Sequence, residues 1–343
     1  MIETITNKED WNFLLSEFDM HDSYHTFEYH LIAKSKGENP ILIKYVENDI
    51  IIAIPLLIRD IKGSAFKDAT SVYGYTGPLS KGINNSFDNS NFINSLNHFF
   101  NENNIISVFS RLHPYVPNQT HVLKNFGAIF PMGKVVNINL KLDKTIQRQN
   151  YHRRLKNHIN RSRKNCSIVK VDSYEGVDKF IEIYNESMDR VNAEKSYYFD
   201  KKYYYNLFNS TDFETELLLA RDNESKNIIS GAIFFKKNGI VQYHLSGTKS
   251  DFFHLMPTKL LIDEMRISAT DEGYHTFNLG GGLGACEDNS LFRFKSSFSD
   301  EYHQFFIWKL IVNEKAYKNI CDKNKITNKE SNFFPLYRLK VFI

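Results

Sequence analysis

The sequence predicts a mixed α/β (α+β) fold of two tandem domains, each with a mostly antiparallel sheet flanked by helices. Its 343 residues are 42% hydrophobic and 14% aromatic, which is enough for a large core and favours two domains over one. β-Branched runs at 41–46 and 50–59 flank Glu47-Asn48-Asp49 and predict a hairpin. Because helix, hairpin, helix and strand recur in the second half, we expect two units of similar architecture.

The first half alternates helical and extended patterns. Trp11, Leu14, Leu15 and Phe18 have the spacing of one apolar helix face. Beyond the hairpin, the pattern predicts a helix near 91–101 and strands at 105–111 and 135–142.

The second half has its own succession of elements. Lys237-Asn238-Gly239 is a turn signal between two apolar runs, and Pro257 is suited to the first position of a helix. The predicted elements are helices near 174–189 and 200–209, strands at 214–221, 228–236 and 239–246, a helix at 257–269 and a strand entering the glycine cluster at 280–284.

A basic segment separates the two halves. Residues 147–164 contain seven Lys or Arg residues and no acidic residue, while Tyr151, Leu155 and Ile159 recur every four positions. This pattern predicts an amphipathic basic helix. It is either a solvated surface helix or a patch that attracts the phosphates of a nucleotide, a tRNA or a membrane surface.

Composition excludes several classes of protein. A net charge of +3 is too small for a bulk nucleic-acid binder, so we expect no DNA partner. Cys166, Cys286 and Cys321 have no CxxC spacing, which argues against disulfides and zinc and favours a reducing, cytoplasmic location. The acidic N-terminus does not resemble a signal peptide, and no apolar run reaches the roughly 18 residues of a membrane span. Peripheral membrane contact stays open.

Several motifs together resemble the FemAB-like branch of the GNAT acyltransferases. The second half has a strand, a Pro-led helix, a glycine-rich strand end and a Phe-Lys-x-x-Phe run; the first half has an aromatic glycine loop and an Arg-x-x-Pro segment. These are Tyr243–Ser246, Pro257–Ala269, Phe277–Gly284 and Phe294–Phe298, with Tyr73–Pro78, Arg111–Pro114, Val136–Leu140 and Met188–Arg190 upstream. No long charged heptad insertion is present, so the helical arm of larger family members is absent.

The resemblance implies two tandem GNAT-like domains. We expect domain 1 at 1–145 and domain 2 at 146–315, with the tail 316–343 packing back on domain 1. The implied function is transfer of an acyl group from an acyl-CoA-type donor to an amino group of a cell-envelope precursor, such as a nucleotide-linked amino sugar or glycan.

Two alternatives remain open at this stage. One is a Fem-type aminoacyltransferase that uses aminoacyl-tRNA on a peptidoglycan precursor. The other is a catalytically inactive GNAT-like module that binds glycan or protein. In the enzyme readings acyl-CoA or aminoacyl-tRNA is a co-substrate, so no bound cofactor is expected.

The resemblance assigns candidate catalytic residues. Lys295 matches the lysine of Phe-Lys-x-x-Phe, where an ammonium stabilises an oxyanion or a phosphate; the alternative is a lysine that only packs its stem against aromatic residues. His113 precedes Pro114 where relatives more often have an acid, and it is either a base for the amine proton or a structural residue.

Candidate binding residues follow from the same motifs. Arg190 matches an arginine that holds acceptor phosphates through its planar fork, with a helix-terminal salt bridge as the alternative. The other substrate-binding candidates are Tyr75, Arg111, Tyr197, Tyr243 and Ser246, of which the tyrosines could equally be core residues. The donor-binding candidates are Thr258, Lys259, Gly280, Gly281 and Gly282.

One competing motif is excluded by its context. Gly280 to Ala285 spells the dinucleotide fingerprint G-x-G-x-x-A. A Rossmann turn opens a long helix in an early βαβ unit, whereas Cys286-Glu287-Asp288-Asn289 and then a strand-like aromatic run at 292–295 follow here. The pattern therefore does not indicate a dehydrogenase.

Overall fold

The computed structural model describes residues 2–324, 326 and 333–339. The chain divides into two compact units, one formed by residues up to Met132 together with those from Phe305 onward, the other by Gly133–Gln304. Of the predicted tail 316–343, residues 325, 327–332 and 340–343 lie outside the described residues. Within the described part, no helix is both long enough and apolar enough to cross a bilayer.

Strands and helices alternate along the chain. The strands are β1 (Ile2–Ile5), β2 (Glu38–Glu47), β3 (Ile50–Asp60), β4 (Lys67–Thr70), β5 (Leu79–Lys81), β6 (Ile105–Arg111), β7 (Ala128–Asn139), β8 (Cys166–Lys170), β9 (Glu214–Asp222), β10 (Ile228–Lys237), β11 (Ile240–Thr248), β12 (Thr276–Gly280) and β13 (Glu301–Ile311). The α-helices are α1 (Lys8–Leu15), α2 (Phe27–Ala33), α3 (Ser90–Glu102), α4 (Gln119–Val122), α5 (Lys144–Gln149), α6 (Arg153–Asn165), α7 (Tyr174–Arg190), α8 (Lys201–Phe208), α9 (Pro257–Asp271), α10 (Ser290–Ser296) and α11 (Glu314–Lys323).

The sheet of the first unit is mostly antiparallel. Its order is β1-β2-β3-β4-β6, with β5 also paired to β3 and the second half of β13 paired to β6. Only β4 and β6 are parallel in this set. The predicted hairpin is confirmed as β2 and β3, and Asn48 takes a positive φ of 52° in its turn. Asparagine tolerates that conformation better than most residues.

The sheet of the second unit has the order β7-β12-β11-β10-β9-β8. Asn238 and Gly239 both have positive φ in the β10–β11 turn, as a tight hairpin requires. Phe234 and Phe235 are both buried on successive positions of β10, so each face of the sheet is covered. Phe234 lies in the core with residues of α6 and α9, while α7 packs on β11.

The parallel pairing of β11 with β12 is short and positions the site. It joins Ile240–Gln242 to Thr276–Asn278, and in the described chain it stops there. β11 continues to Thr248 with β10 as its partner, so β11 and β12 separate toward their carboxyl ends. A wedge opens between them, beginning at Tyr243.

Two sequence predictions of local structure are wrong. The basic segment is two helices rather than one, because the chain turns at Tyr151, whose ring is buried and whose hydroxyl donates to Asp263 Oδ1 at 3.0 Å. The aromatic run 292–295 is helical rather than strand-like. Asn289 caps it, since its Oδ1 accepts from the Phe292 N–H at 2.8 Å, and the cap overrides the β-propensity of the phenylalanines.

Candidate functional site

Lys295 lies on α10 with its amine facing the glycine run. The residue is only 8% exposed, and Nζ donates to the Gly281 carbonyl oxygen at 2.7 Å. Burial lowers the pKa of the Lys295 amine to about 7. A group with that pKa changes protonation near neutrality, which suits proton transfer or charge stabilisation in catalysis.

Tyr243 and Ser246 stand on the separated part of β11. The Lys295 Nζ lies 5.9 Å from the centre of the Tyr243 ring, and the Tyr243 and Ser246 hydroxyls are hydrogen-bonded to each other. Burial raises the pKa of Tyr243 to about 12. The phenol therefore stays protonated and is a hydrogen-bond donor at neutral pH.

The glycine run leaves space for the Lys295 amine next to the end of β12. Gly280 ends β12 with φ of +75°, and a Cβ there would lie 3.1 Å from the Lys295 Nζ. A side chain at this position would be strained and would crowd the amine. Gly281 supplies the carbonyl that holds Nζ, and the Gly282 carbonyl accepts from Ala285 to close the next turn. Two donor-binding candidates, Gly280 and Gly281, thus adjoin Lys295.

The N-terminus of α9 lies against the end of β11. Thr258 Oγ1 is 2.7 Å from Thr248 Oγ1, a bond that fixes the helix start to the strand. Lys259 instead faces α6, where its Nζ donates to His158 Nδ1 at 2.7 Å. Burial and then the charge of Arg154 lower the pKa of Lys259. Thr258 and Lys259 therefore have different surroundings, although both were predicted to bind the donor.

Arg190 ends α7 on the same unit. Its Nη1 donates to the Thr248 carbonyl oxygen at 3.3 Å, and its guanidinium lies 4.1 Å from the Phe253 ring centre. In the described chain no carboxylate forms a salt bridge with it, so the helix-terminal ion pair is not formed. Tyr197 follows in a short 3₁₀ helix, where its carbonyl accepts from the Tyr184 hydroxyl at 3.0 Å. Arg190 is thus stacked, exposed and able to hold an anion.

His113 belongs to a buried network in the first unit. Its Nε2 donates to Asp22 Oδ2 at 3.1 Å, and its Nδ1 accepts from the Tyr115 N–H at 3.2 Å. Burial lowers the pKa of His113 although Asp22 opposes that shift. Because both ring nitrogens are engaged, the geometry favours the structural alternative for His113 over the base.

The aromatic loop of the first unit is held by that network. The Thr76 carbonyl accepts from His25 Nε2 at 3.2 Å and from Gln119 Nε2 at 2.7 Å. Tyr75 in this loop lies with its ring centre 5.1 Å from that of Phe305. Arg111 lies 5.8 Å from the ring centre of Tyr73, which is 55% exposed. The loop therefore presents aromatic rings and one guanidinium on a fixed backbone.

Sequence reasoning missed the partners that fix these residues. Asp22 and His25 occur close together in His21-Asp22-Ser23-Tyr24-His25, a local signal for a buried ionic pair. Although burial raises it, contacts with His113 and His25 hold the pKa of Asp22 well below its usual range. Asp263 was missed as well. It is buried beside three arginines, and only its place on the apolar face of α9 could have indicated it.

Comparison with known proteins agrees with this geometry. Residues 214–306, which include the wedge and α10, match the FemAB family. The structure of FemX matches at a TM-score of 0.71 and 13% identity, covering 93% of this chain and 99% of that one. Residues 214–306 are therefore FemAB-like and the chain has the GNAT fold, which together support an acyltransferase. None of the curated proteins matches its sequence.

Two further solved structures share the FemAB-like fold. L-PGS from Bacillus licheniformis matches at a TM-score of 0.58 and 11% identity, over 90% of this chain and 93% of that one. A tandem GNAT protein from the clavulanic acid biosynthesis pathway matches at 0.50 and 8% identity, over 90% and 98%. At these identities they support the fold alone. The predicted fold class of two tandem GNAT-like domains is confirmed.

Proposed function

We propose that this chain transfers an aminoacyl group from aminoacyl-tRNA to an amino group of a cell-envelope precursor. The observation that carries the proposal is the Lys295 amine. It is buried, has a pKa lowered to about 7, and lies where β11 and β12 separate. An acyl ester entering the wedge would have its carbonyl next to a cationic donor.

The reaction is an aminolysis of an ester. The amine nitrogen attacks the carbonyl carbon, the C=O π electrons move to oxygen, and the tetrahedral intermediate collapses with cleavage of the C–O ester bond. The nitrogen loses a proton and the leaving alcohol gains one. Charge develops on the carbonyl oxygen, so the Lys295 ammonium and the Tyr243 hydroxyl are suited to stabilise it.

The donor is the point at which we depart from the sequence-based expectation of acyl-CoA. The connection Lys249–Met256 contains no glycine, and Phe252 and Phe253 fill its 3₁₀ helix. Pro257 then removes one N–H from the helix start. Bulky residues hinder close approach of a pyrophosphate to the backbone, whereas a row of exposed bases along α6 suits a longer polyanion.

The names of the neighbours support the same choice. FemX is by its name a Fem protein. The resemblance of this chain to the Fem proteins implies aminoacyl-tRNA as the donor and a peptidoglycan precursor as the acceptor. Another neighbour is a putative lysylphosphatidylglycerol synthetase from Agrobacterium fabrum, at a TM-score of 0.53 and 12% identity over 93% of this chain and 95% of that one. Lysylphosphatidylglycerol is an aminoacylated lipid.

A second candidate function is N-acylation from acyl-CoA. One observation favours it, namely the tandem GNAT neighbour, which is described with reference to AcCoA. The acceptor is the same in both cases. We propose that Arg190 binds a phosphate of that acceptor. Its guanidinium is exposed and donates a hydrogen bond to the carbonyl oxygen of Thr248, at the end of β11 that has separated from β12.

A donor-by-acceptor screen tests the proposal. Acyl-CoAs and aminoacyl-tRNAs are each incubated with nucleotide-linked amino sugars and peptidoglycan precursors, and products are detected by mass spectrometry. We expect product only with aminoacyl-tRNA. Product only with acyl-CoA would show that the second candidate function, N-acylation from acyl-CoA, is the correct one. No product with either donor would favour a binding module.

A further inference from the structure

The two flanks of α6 differ in how their basic side chains are neutralised. On one flank Arg163 pairs with Asp263 at 2.9 Å, where Arg148 from α5 and Arg266 from α9 also pair. Asp263 is fully buried, and the hydrogen bond from Tyr151 completes its contacts. These arginines tie α5, α6 and α9 together, so their role is structural.

The other flank has no such acid. Arg154, His158 and Arg161 lie at the i, i+4 and i+7 positions of one helix face, and Lys259 joins them from α9. Among the described residues no carboxylate pairs with any of the four. Burial, Lys259, Arg154 and Arg161 all lower the pKa of His158, which shows that these positive groups lie within reach of one another.

Arg154, Arg161 and Lys259 are three positive charges that repel one another around the neutral His158 ring, and an anion bound between them would relieve that repulsion. We propose that Arg154, His158, Arg161 and Lys259, here called the α6 cluster, bind the phosphodiester backbone of an RNA. This deepens the proposed function, on which it rests, because that RNA is the tRNA that carries the acyl group. Neutralising several phosphates releases counterions and supplies affinity without reading sequence.

The length of the row favours RNA over a small phosphate ligand. Exposed Arg153 and Lys164 extend the cluster at both ends of α6, a span of about 16 Å at the rise of an α-helix. That length accommodates several successive phosphates. A membrane surface is less suited, because a helix that lies on lipid presents bulky apolar residues beside its bases, whereas Leu155 and Ile159 are buried in the core.

The α6 cluster is also connected to the catalytic lysine. The His152 N–H, which precedes α6, donates to the Ser297 carbonyl oxygen at 2.9 Å, just after α10. The Tyr151 ring lies 5.3 Å from that of Phe298 in an edge contact. The start of α6 therefore contacts the end of α10, which carries Lys295. An RNA bound to α6 would lie on a helix that is directly connected to the helix of the lysine.

Binding of uncharged tRNA tests the inference without requiring transfer. Two full-length double variants each remove two positive charges: Arg154→Gln with Arg161→Gln, and exposed Lys34→Gln with Lys36→Gln. We expect only the first to weaken tRNA binding, by on the order of tenfold near 0.1 M salt. Its plot of log affinity against log salt should be shallower by about 1.4–1.8.

The conservative pair Arg154→Lys with Arg161→Lys should bind tRNA as the wild type does, since charge and not fork geometry carries a backbone contact. An unchanged slope in the Gln pair, or an equal loss in the Lys34 and Lys36 pair, would overturn the inference. The inference would also be overturned if the protein bound phosphatidylglycerol vesicles or coenzyme A through the α6 cluster and did not bind tRNA.

The proposed function and this inference fail in different ways. If tRNA-dependent transfer occurs and the Arg154 and Arg161 variant keeps wild-type tRNA affinity, only the site is wrong. If tRNA does not bind and acyl-CoA supports transfer, the donor assignment itself is wrong.

Discussion

Lys295 Nζ donates to the carbonyl oxygen of Gly281 at 2.7 Å, and no carboxylate in the described chain pairs with it. A neutral acceptor does not replace the water that the ammonium loses on burial, which is why the pKa falls to about 7. The amine therefore changes its protonation state near neutral pH.

The pH dependence of transfer should report this amine. If the ammonium stabilises the oxyanion, kcat/KM for the wild type falls as pH rises through about 7. Lys295→Arg keeps its charge at every accessible pH, so that limb should be absent. Lys295→Met should lower kcat about a hundredfold, equivalent to roughly 3 kcal/mol of transition-state stabilisation. A limb at pH 7 that persists in the arginine variant would assign it to another group.

Stability of the Lys295→Met variant separates catalysis from packing. A lowered lysine pKa means that the folded state binds fewer protons than the unfolded chain between pH 7 and 10.5, so the amine destabilises the fold below pH 10.5. We therefore expect a melting temperature equal to or above that of the wild type at pH 7. A lowered melting temperature with normal turnover would mean that Lys295 only packs.

Arg190→Lys should separate binding from chemistry. A point charge replaces the planar fork and loses the stacking on Phe253, so we expect the acceptor KM to rise on the order of tenfold with kcat within about twofold. Arg221→Lys, at an exposed position of β9, is the matched control and should change neither. If Arg190→Lys and the wild type had the same KM for a phosphate-bearing acceptor, Arg190 would not be part of the acceptor site.

Gly77 is a test of the aromatic loop of the first unit. Its φ is +75°, and a Cβ there would lie 2.6 Å from the Gln119 side chain, whereas Gly37 has φ of +86° with no atom within 4 Å. Both alanine variants carry the left-handed strain of about 1–2 kcal/mol. Gly77→Ala should lose about 1–3 kcal/mol more in urea denaturation, because the close contact is added. If Gly77→Ala and Gly37→Ala lost the same free energy of unfolding, the loop would be able to shift and relieve the close contact with Gln119.

The wedge could be predicted only in part from the sequence. Pro257, the glycine run and Phe-Lys-x-x-Phe stand in linear order, and their spacing indicated a strand, a helix and a cationic site. The separation of β11 from β12 was not visible, because it depends on where the pairing at Gln242 and Asn278 ends. Strand register is a long-range property, set by contacts that the chain order does not contain.

The basic helix shows the same limit more sharply. The count of charges from Arg148 to Lys164 was correct, but it did not distinguish Arg163 from Arg161, two residues apart. One meets a buried carboxylate on α9 and the other does not. The helical wheel separates the flanks, yet only tertiary packing decides which flank meets Asp263.

Acid should destabilise the fold through buried histidines. Burial lowers the pKa values of His30 and His244 to about 3, so the unfolded chain takes up protons below about pH 6.5 and the folded chain does not. Each should cost about 1.4 kcal/mol between pH 7.5 and 5.5. In urea denaturation His30→Gln should recover that amount of the difference, while exposed His98→Gln should recover none. An unchanged difference in His30→Gln would show that His30 is protonated in the folded state.

The hydrogen bonds that hold the Tyr73–Pro78 loop end on main-chain carbonyls. Tyr29 donates to the Tyr73 carbonyl, and Gln119 donates to those of Thr76 and Pro78. None of these bonds depends on which side chains occupy positions 73 and 75. Substitutions there can accumulate over evolutionary time without loss of the loop's shape, so descendants of one scaffold can diverge in what they recognise while inheriting the same backbone.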